Sequence, residues 1–202
     1  MEKAIERRAE EPVFLLVARM LWDKGVGEFV AAARTVRARY PGARFQLLGF
    51  LDVANPSAIS REQMQAWQDD GVVEYLGRTD DVRPLLVQAD CVVLPSNYRE
   101  GVPRTLLEAA ATSRPVITSD SSGCRDTVIH GQSGFLCKPS NTDDLVEKLL
   151  SFIALTMAQR VAMGQRGRAL MEEKFDERLV LSRYLAAVAD VAVLDGAVVG
   201  VA

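Results

Sequence analysis

The sequence predicts an α/β fold: a doubly wound parallel sheet of the Rossmann-like kind. Three observations predict it. Short runs that are apolar at every position recur along the chain, as strands buried on both faces require. Between them lie stretches whose apolar residues recur at helical spacing, and this alternation is the pattern of a parallel sheet. The 202 residues, 49% apolar and 25% charged, suffice for one domain with a sizeable core and argue against disorder.

Phe14-Leu15-Leu16-Val17 reads as the first strand. Val26, Phe29, Val30, Ala33, Val36 and Tyr40 then recur at helical spacing, and Pro41-Gly42 ends that helix. Phe45-Gln46-Leu47-Leu48 is the second strand, followed by a looser polar segment with helical character from Arg61 to Trp67. Val72 to Leu76 reads as a third strand closed by Gly77, and Asp80 to Ala89 as a helix whose Asp pair suits its positive end. Cys91 to Leu94 is a fourth strand, stopped by Pro95. Pro103 opens the next helix, which runs to Ala111. Pro115 to Thr118 is a fifth strand, Gly134 to Cys137 a sixth, and Thr142 to about Leu194 is mostly helical. No repeat or low-complexity run interrupts this order. Sheets of this kind bind ligands at the carboxyl ends of their strands. The informative loops are therefore those after Val17, Gly49, Leu76, Leu94 and Thr118.

Composition narrows the function. Lys plus Arg number 24 and Asp plus Glu 27, a net charge of -3, which gives no electrostatic footprint for nucleic acid. Cys91, Cys124 and Cys137 show no metal-site spacing; Cys91 and Cys137 sit in apolar runs and read as core residues, which fits a reducing compartment. The single His130 excludes a site built from several histidines and reads as a surface-turn residue. No run approaches the roughly 20 apolar residues of a membrane helix, and the charged N-terminus is unlike a signal peptide. A cytoplasmic protein is expected, extending to work at the inner face of a membrane.

Two loops carry candidate chemistry. The first, Ala18 to Gly25, places Arg19 and Lys24 where a strand gives way to a helix. Helix N-termini offer unpaired N–H groups and partial positive charge, and an arginine fork grips a phosphate with two bonds, so the combination suits a diphosphate. Read alone, the same pair also fits a solvated surface turn. The second loop, Leu94 to Glu108, holds Glu100 before Pro103 and Glu108 within the helix. Gly101 allows backbone to approach a ligand, and a carboxylate such as Glu108 can accept hydrogen bonds from two adjacent ribose hydroxyls. The competing reading pairs Glu108 with Arg104 one turn earlier, worth only about 0.3 kcal/mol. Ser119 to Asp126 and His130 to Phe135 border the same side; they read equally well as plain turns, and Asp126 is assigned no role. No two aspartates stand two apart, so a D-x-D metal clamp for a diphosphate is absent. Positive side chains and helix ends are left to neutralise it, and no metal or cofactor is expected.

Together these residues resemble the C-terminal domain of a retaining glycosyltransferase with the two-domain GT-B fold, in glycosyltransferase group 1 (family 4). Glu100 and Glu108 fit that family's E-x7-E motif, Arg19 and Lys24 its basic pair, and Pro115-Val116, Gly123 and Gly131 to Phe135 its later landmarks. The likeness spans roughly Val13 to Phe175. The wording around Arg99 to Glu108, with Gly123-Cys124-Arg125, resembles a bacterial branch that builds capsules, O-antigens and lipid-linked oligosaccharides, often from UDP-linked N-acetylhexosamines.

The resemblance implies roles. Arg19 and Lys24 would hold the diphosphate and stabilise the charge it gains, with Glu100 beside the donor sugar. Gly101, Val102 and Pro103 would line the donor, Thr105 and Leu106 present N–H groups to phosphate, Glu108 bind the ribose, and backbone near Arg78 face the base. It implies a hexose or N-acetylhexosamine transferred with retention, by same-face attack, to a glycan or lipid-linked acceptor. Two departures stand out: Ser113-Arg114 where many members have Gly, and Asp126 where many have Glu. The family's N-terminal, acceptor-binding domain has no counterpart here. Residues 1–12 are therefore read as a linker remnant and 13–176 as the nucleotide-sugar-binding domain. Residues 177–202 are read as a helix and tail for the missing domain, leaving Leu179, Leu181, Tyr184, Leu185 and Val188 as exposed apolar surface that promotes self-association. Such a chain would bind donor without transferring it, and the full enzyme would associate peripherally with a membrane. A non-catalytic nucleotide-sugar-binding module, or a nucleotide-sugar epimerase on the same fold, remains the alternative.

Overall fold

The computed structural model describes residues 11–98 and 101–198. Its sheet has six strands, all parallel, in the order β3-β2-β1-β4-β5-β6. The strands are β1 Val13–Val17, β2 Arg44–Leu48, β3 Glu74–Tyr75, β4 Cys91–Leu94, β5 Val116–Ser119 and β6 Gly134–Cys137. The helices are α1 Val26–Arg39, α2 Arg61–Asp69, α3 Arg83–Gln88, α4 Arg104–Ala111, α5 Thr142–Ile153, α6 Met157–Lys174 and α7 Glu177–Val198. The predicted fold class is the observed one. The strand order reverses between β1 and β4, where the crossovers leave to opposite sides and open a crevice.

Alternation along each strand divides the core in two. Phe14, Leu16, Phe45, Leu47, Cys91 and Val93 face one layer, with Phe29 and Val30 of α1 and Leu145, Leu149 and Phe152 of α5. Phe14 stacks on Phe45 at 5.0 Å between centroids, and Phe152 meets Phe14 edge-on at 5.7 Å. Leu15, Leu48, Val92, Leu94 and Val116 face the other layer, with Leu86 of α3 and Leu106 and Ala109 of α4. Each buried side chain of this size contributes about 1.5–3 kcal/mol, which is why runs apolar at every position were so readable. Helix α6 covers α4 through Leu170 and Met171 against Ala110. Gly164 makes that approach close: a Cβ there would lie 2.1 Å from the Ser113 carbonyl oxygen.

Local signals fix several helix starts. Ser60 caps α2 by accepting from the Gln63 N–H, Asn141 caps α5 through the Asp144 N–H, and Thr156 with Gln159 forms a reciprocal capping box on α6. The structure shortens or shifts three expected elements. Only Glu74 and Tyr75 pair with β2 in the third strand; Val72 and Val73 are buried but lie before the ladder. Helix α3 begins at Arg83, because the Asp81 carboxylate accepts the Arg83 N–H and so ends the preceding turn. Pro103 is the N-cap of α4 (ψ 123°), not its first helical residue.

All three cysteines are buried. Burial pushes the Cys137 thiol up to about 12 and Cys91 well above its ordinary value. His130 is exposed, its Nδ1 accepting from the Leu136 N–H. Along α7, Leu181, Tyr184, Leu185 and Val188 are more than half exposed.

Candidate functional site

The β1 loop reaches the crevice through a single 3-10 turn, Trp22–Lys24, that runs directly into α1. Gly25 joins the two at φ +73°, and a Cβ on it would lie 2.2 Å from the Pro95 carbonyl oxygen. Glycine is thus required twice over: for the left-handed backbone and for contact with the loop after β4. Across that contact the Asn97 N–H donates to the Asp23 carbonyl at 3.0 Å, and the Ser96 hydroxyl donates to the same oxygen at 3.2 Å. Below it, the buried Thr118 hydroxyl donates to the Leu94 carbonyl at 2.7 Å, tying β5 into the arrangement.

A second brace comes from the opposite side. Gly49, at φ +144°, sits so close to the β1 loop that a Cβ would lie 1.7 Å from the Ala18 carbonyl oxygen. The Tyr75 hydroxyl donates to the Gly49 carbonyl at 2.7 Å, and burial, ahead of the nearby Asp52, raises the phenol above its usual range. Trp22 donates its N–H to the Ser57 carbonyl, packs on Gly27 and meets Trp67 edge-on at 5.6 Å. The β1 loop is therefore held by β2, β4 and the segment before α2.

Arg19 and Lys24 line one cavity of about 150 Å³, together with Leu21, Asp23, Asn55 and Tyr98. Arg19 is exposed and has no carboxylate within ion-pair distance among the described residues. The Lys24 ammonium stands 5.8 Å from the centre of the Tyr98 ring. The first N–H groups of α1 point to this end, where partial positive charge adds to the two side chains. The arrangement suits a compact anion with several oxygens.

The second loop is placed only in part. Glu100 lies outside the described residues. Gly101 is exposed, Val102 half-buried and Pro103 buried. In the first turn of α4 the Leu106 N–H already donates to the Pro103 carbonyl at 3.0 Å, whereas Thr105 is half-buried with no such intrahelical bond. Glu108 makes the pair its spacing allowed: Arg104 Nε donates to its Oε1 at 2.8 Å, with the arginine side chain 90% and the glutamate 33% exposed. An exposed pair of this kind is weak, and a ligand competes with it readily.

Arg78 follows β3 and lies over the exposed Phe50 ring, its guanidinium 5.5 Å from the ring centre. Phe50, Arg78, Tyr75 and Gly77 line a further cavity of about 380 Å³ with Asp52 and Arg61, which pair with each other. An open cavity of about 920 Å³ adjoins the crevice on its β5 side, beside Asn97 and Gly101. Sequence reasoning missed Asn55, Tyr98 and Phe50. The first two sit in loops whose path only the folded chain shows, and the signal available was an exposed aromatic flanked by polar residues. Among the described residues no group of three or more His, Cys, Asp or Glu could hold a metal ion, and no helix is long and apolar enough to cross a membrane.

Comparisons with known proteins identify the family and the fold. Residues 11–154 match the family described as glycosyl transferases group 1. The chain is 34% identical over 177 residues to the N,N'-diacetylbacillosaminyl-diphospho-undecaprenol alpha-1,3-N-acetylgalactosaminyltransferase of Campylobacter jejuni, covering 87% of this chain and 44% of that protein. To the glycogen synthase of Mycobacterium tuberculosis it is 31% identical over 187 residues, covering 86% and 42%. It thus spans less than half the length of these relatives. Among solved structures, Anabaena HepE in complex with UDP superposes with a TM-score of 0.79 at 21% identity, over 90% of this chain and 49% of that one. The C-terminal domain of the group 1 protein LpcC of Francisella tularensis superposes with a TM-score of 0.70 at 23% identity, over 86% of this chain and 95% of that one. At these identities the structures speak for the fold alone.

Proposed function

This chain belongs to the group 1 glycosyl transferases, and on that premise we propose that it is the donor-binding part of an enzyme that moves a hexose or N-acetylhexosamine from a UDP-sugar to a glycan or lipid-linked acceptor. The observation that carries this reading is the closure of the Arg19–Lys24 loop onto the loop after β4, at the point where the strand order reverses. There a nucleoside diphosphate finds cationic side chains and two helix N-termini together.

In this reading Arg19 and Lys24 grip the diphosphate and stabilise the negative charge it gains as the glycosidic bond breaks. No metal takes part. Glu108 exchanges its exposed contact with Arg104 for the ribose hydroxyls. The Thr105 N–H faces a phosphate oxygen, and Phe50 with Arg78 borders the base. Glu100, with Gly101 and Val102, contacts the donor sugar. Transfer proceeds with retention, the acceptor attacking on the face the diphosphate leaves. Acceptor binding falls to the further length that such relatives have, and α7 offers Leu181, Tyr184, Leu185 and Val188 as the surface for it. The chain alone binds donor without transferring it, and the whole enzyme works at the membrane face where lipid-linked acceptors lie.

Calorimetric titration with UDP tests this. Saturable binding is expected, weakened about ten- to a hundredfold in Arg19→Ala, the scale of one charge-assisted hydrogen-bonding contact. Glu108→Ala should weaken UDP about tenfold, and dUDP, which lacks one ribose hydroxyl, by less. Binding that both variants leave unchanged would overturn the site.

A further inference from the structure

At the amino end of the sheet, Arg37 in the last turn of α1 stands between two cavities. One, of about 170 Å³, lies toward Arg44 and Glu74; the other, of about 440 Å³, lies toward Arg34 and Asp70. Pro41, Gly71 and Val72 line both. The larger volume is in the range of small-molecule sites. The two acids here are already engaged. Asp70 accepts from Arg34 at 2.5 Å, and Glu74 accepts from Arg44 and from the Gln46 amide, each at 2.8 Å. Arg37 has neither an ion pair nor a hydrogen bond among the described residues, although it is half-buried. Its Nε is sealed from solvent without a partner; its two Nη groups are not sealed. A guanidinium keeps its charge at any ordinary pH, so burying part of it uncompensated is costly. The dipole of α1 favours a cation in this turn, but the exposed Arg39 meets that need. It does not call for an arginine set between two cavities.

We propose that Arg37 anchors a second anion site, for a compact oxyanion that offers two oxygens along one edge, a carboxylate or a phosphate. The open Nη edge of the guanidinium fork suits such a pair of oxygens. Three arginines against two carboxylates leave the lining with one positive charge in excess, which a singly charged anion neutralises. Pro41 and Val72 on the shared wall are apolar, so the body of the anion rests on carbon. Helix α1 begins beside the Arg19–Lys24 pocket and carries Arg37 about 17 Å along its axis from Val26, at about 1.5 Å per residue. The site is thus separate from that pocket and does not depend on what the pocket binds.

The test follows the amide signals of Gly71 and Val72 and the Nε–H signal of Arg37 while sodium acetate or sodium phosphate is added, with chloride holding the ionic strength constant. The wild-type chain is compared with Arg37→Gln and Arg37→Lys, all shown to be folded by their amide spectra. Saturation by at least one of the two anions is expected in the wild type. Arg37→Gln should weaken it about ten- to a hundredfold, the scale of lost charge-assisted hydrogen bonds. Arg37→Lys, which keeps the charge without the fork, should weaken it less. Acetate alone saturating assigns the site to carboxylates, phosphate alone to phosphates, and both to the oxyanion edge they share. Should Arg37→Gln not fold, the wild-type Arg37 signal carries the test, moving with Gly71 and Val72 along one binding curve. Shifts that never saturate, or that Arg37→Gln leaves unchanged, mean an adventitious ion only and overturn the site. Displacement of the anion by UDP would place its effect in the donor pocket and overturn the site as well. UDP should bind all three chains alike; absence of UDP binding in the wild type would count against the donor reading and leave this site standing.

Discussion

At the amino ends of the strands Arg34, Arg44, Arg114 and Arg160 are tied into the fold by carboxylates or carbonyls, whereas at the carboxyl ends Arg19 and Arg78 have no ion pair among the described residues. At the amino ends Arg34 pairs with Asp70 and Arg44 with Glu74, and Arg114 donates to the Ala89 and Thr112 carbonyls. Arg160, 4% exposed, donates to the Ile153 carbonyl at 2.8 Å and lies 4.9 Å from the Phe152 ring centre. At the carboxyl ends Arg61, Arg83, Arg104 and Arg125 are paired with neighbouring carboxylates, but Arg19 and Arg78, on the loops after β1 and β3, have no ion pair among the described residues. The same side chain is thus neutralised by a carboxylate in Arg34 and Arg44 and stands without one in Arg19 and Arg78.

Four substitutions would break or sharpen that contrast. The largest effect belongs to Gly25→Ala, which meets both the left-handed backbone and the Pro95 carbonyl. It should destabilise by roughly 2–6 kcal/mol in urea denaturation and abolish UDP binding, because the two crevice loops are forced apart. Retained UDP affinity would show that the loops need not touch. Next comes Arg160→Met, which keeps the volume but leaves the Ile153 carbonyl unpaired. A loss of about 1–3 kcal/mol with unchanged UDP affinity is expected; weakened UDP binding would mean the two ends are not independent.

Ser113→Gly should act in the other direction. Ser113 sits at φ +57°, a left-handed conformation costing a non-glycine residue about 1–2 kcal/mol. The variant should gain about 1 kcal/mol in urea denaturation, again with UDP affinity unchanged. The smallest effect is expected at Glu74. Its carboxyl is held below the usual carboxylate range by the hydrogen bond from Gln46 and then by Arg44. A lowered folded value stabilises the chain above the unfolded carboxylate pKa of about 4.3 and is lost as pH falls through the folded one. Glu74→Gln should therefore lose that contribution at neutral pH and flatten the acid limb of the stability profile below about pH 4.3.

Much of this was legible before folding, for reasons visible in particular residues. Cys91–Leu94 and Gly134–Cys137 form strands over the ranges expected: the first is central and buried at every position, as a parallel strand covered on both faces requires, and the second lies at the sheet edge, buried at its two ends. The third strand was read as longer than it is: Val72 and Val73 are apolar and buried, but burial against α2 is not pairing with β2. Arg19 and Lys24 stood out because they follow an unmistakable strand, and Glu108 was weighed against Arg104, the partner that the structure shows engaged.

The sequence by itself determined the layers and the parallel sheet, since these follow from local periodicity and from which residues must leave water. Only the tertiary structure decided which loops meet. Gly25 and Pro95 are seventy positions apart, and their contact depends on the strand order reversing between β1 and β4. That order comes from how helices pack on the two faces of a twisted sheet, a property of the assembled chain that no single segment carries.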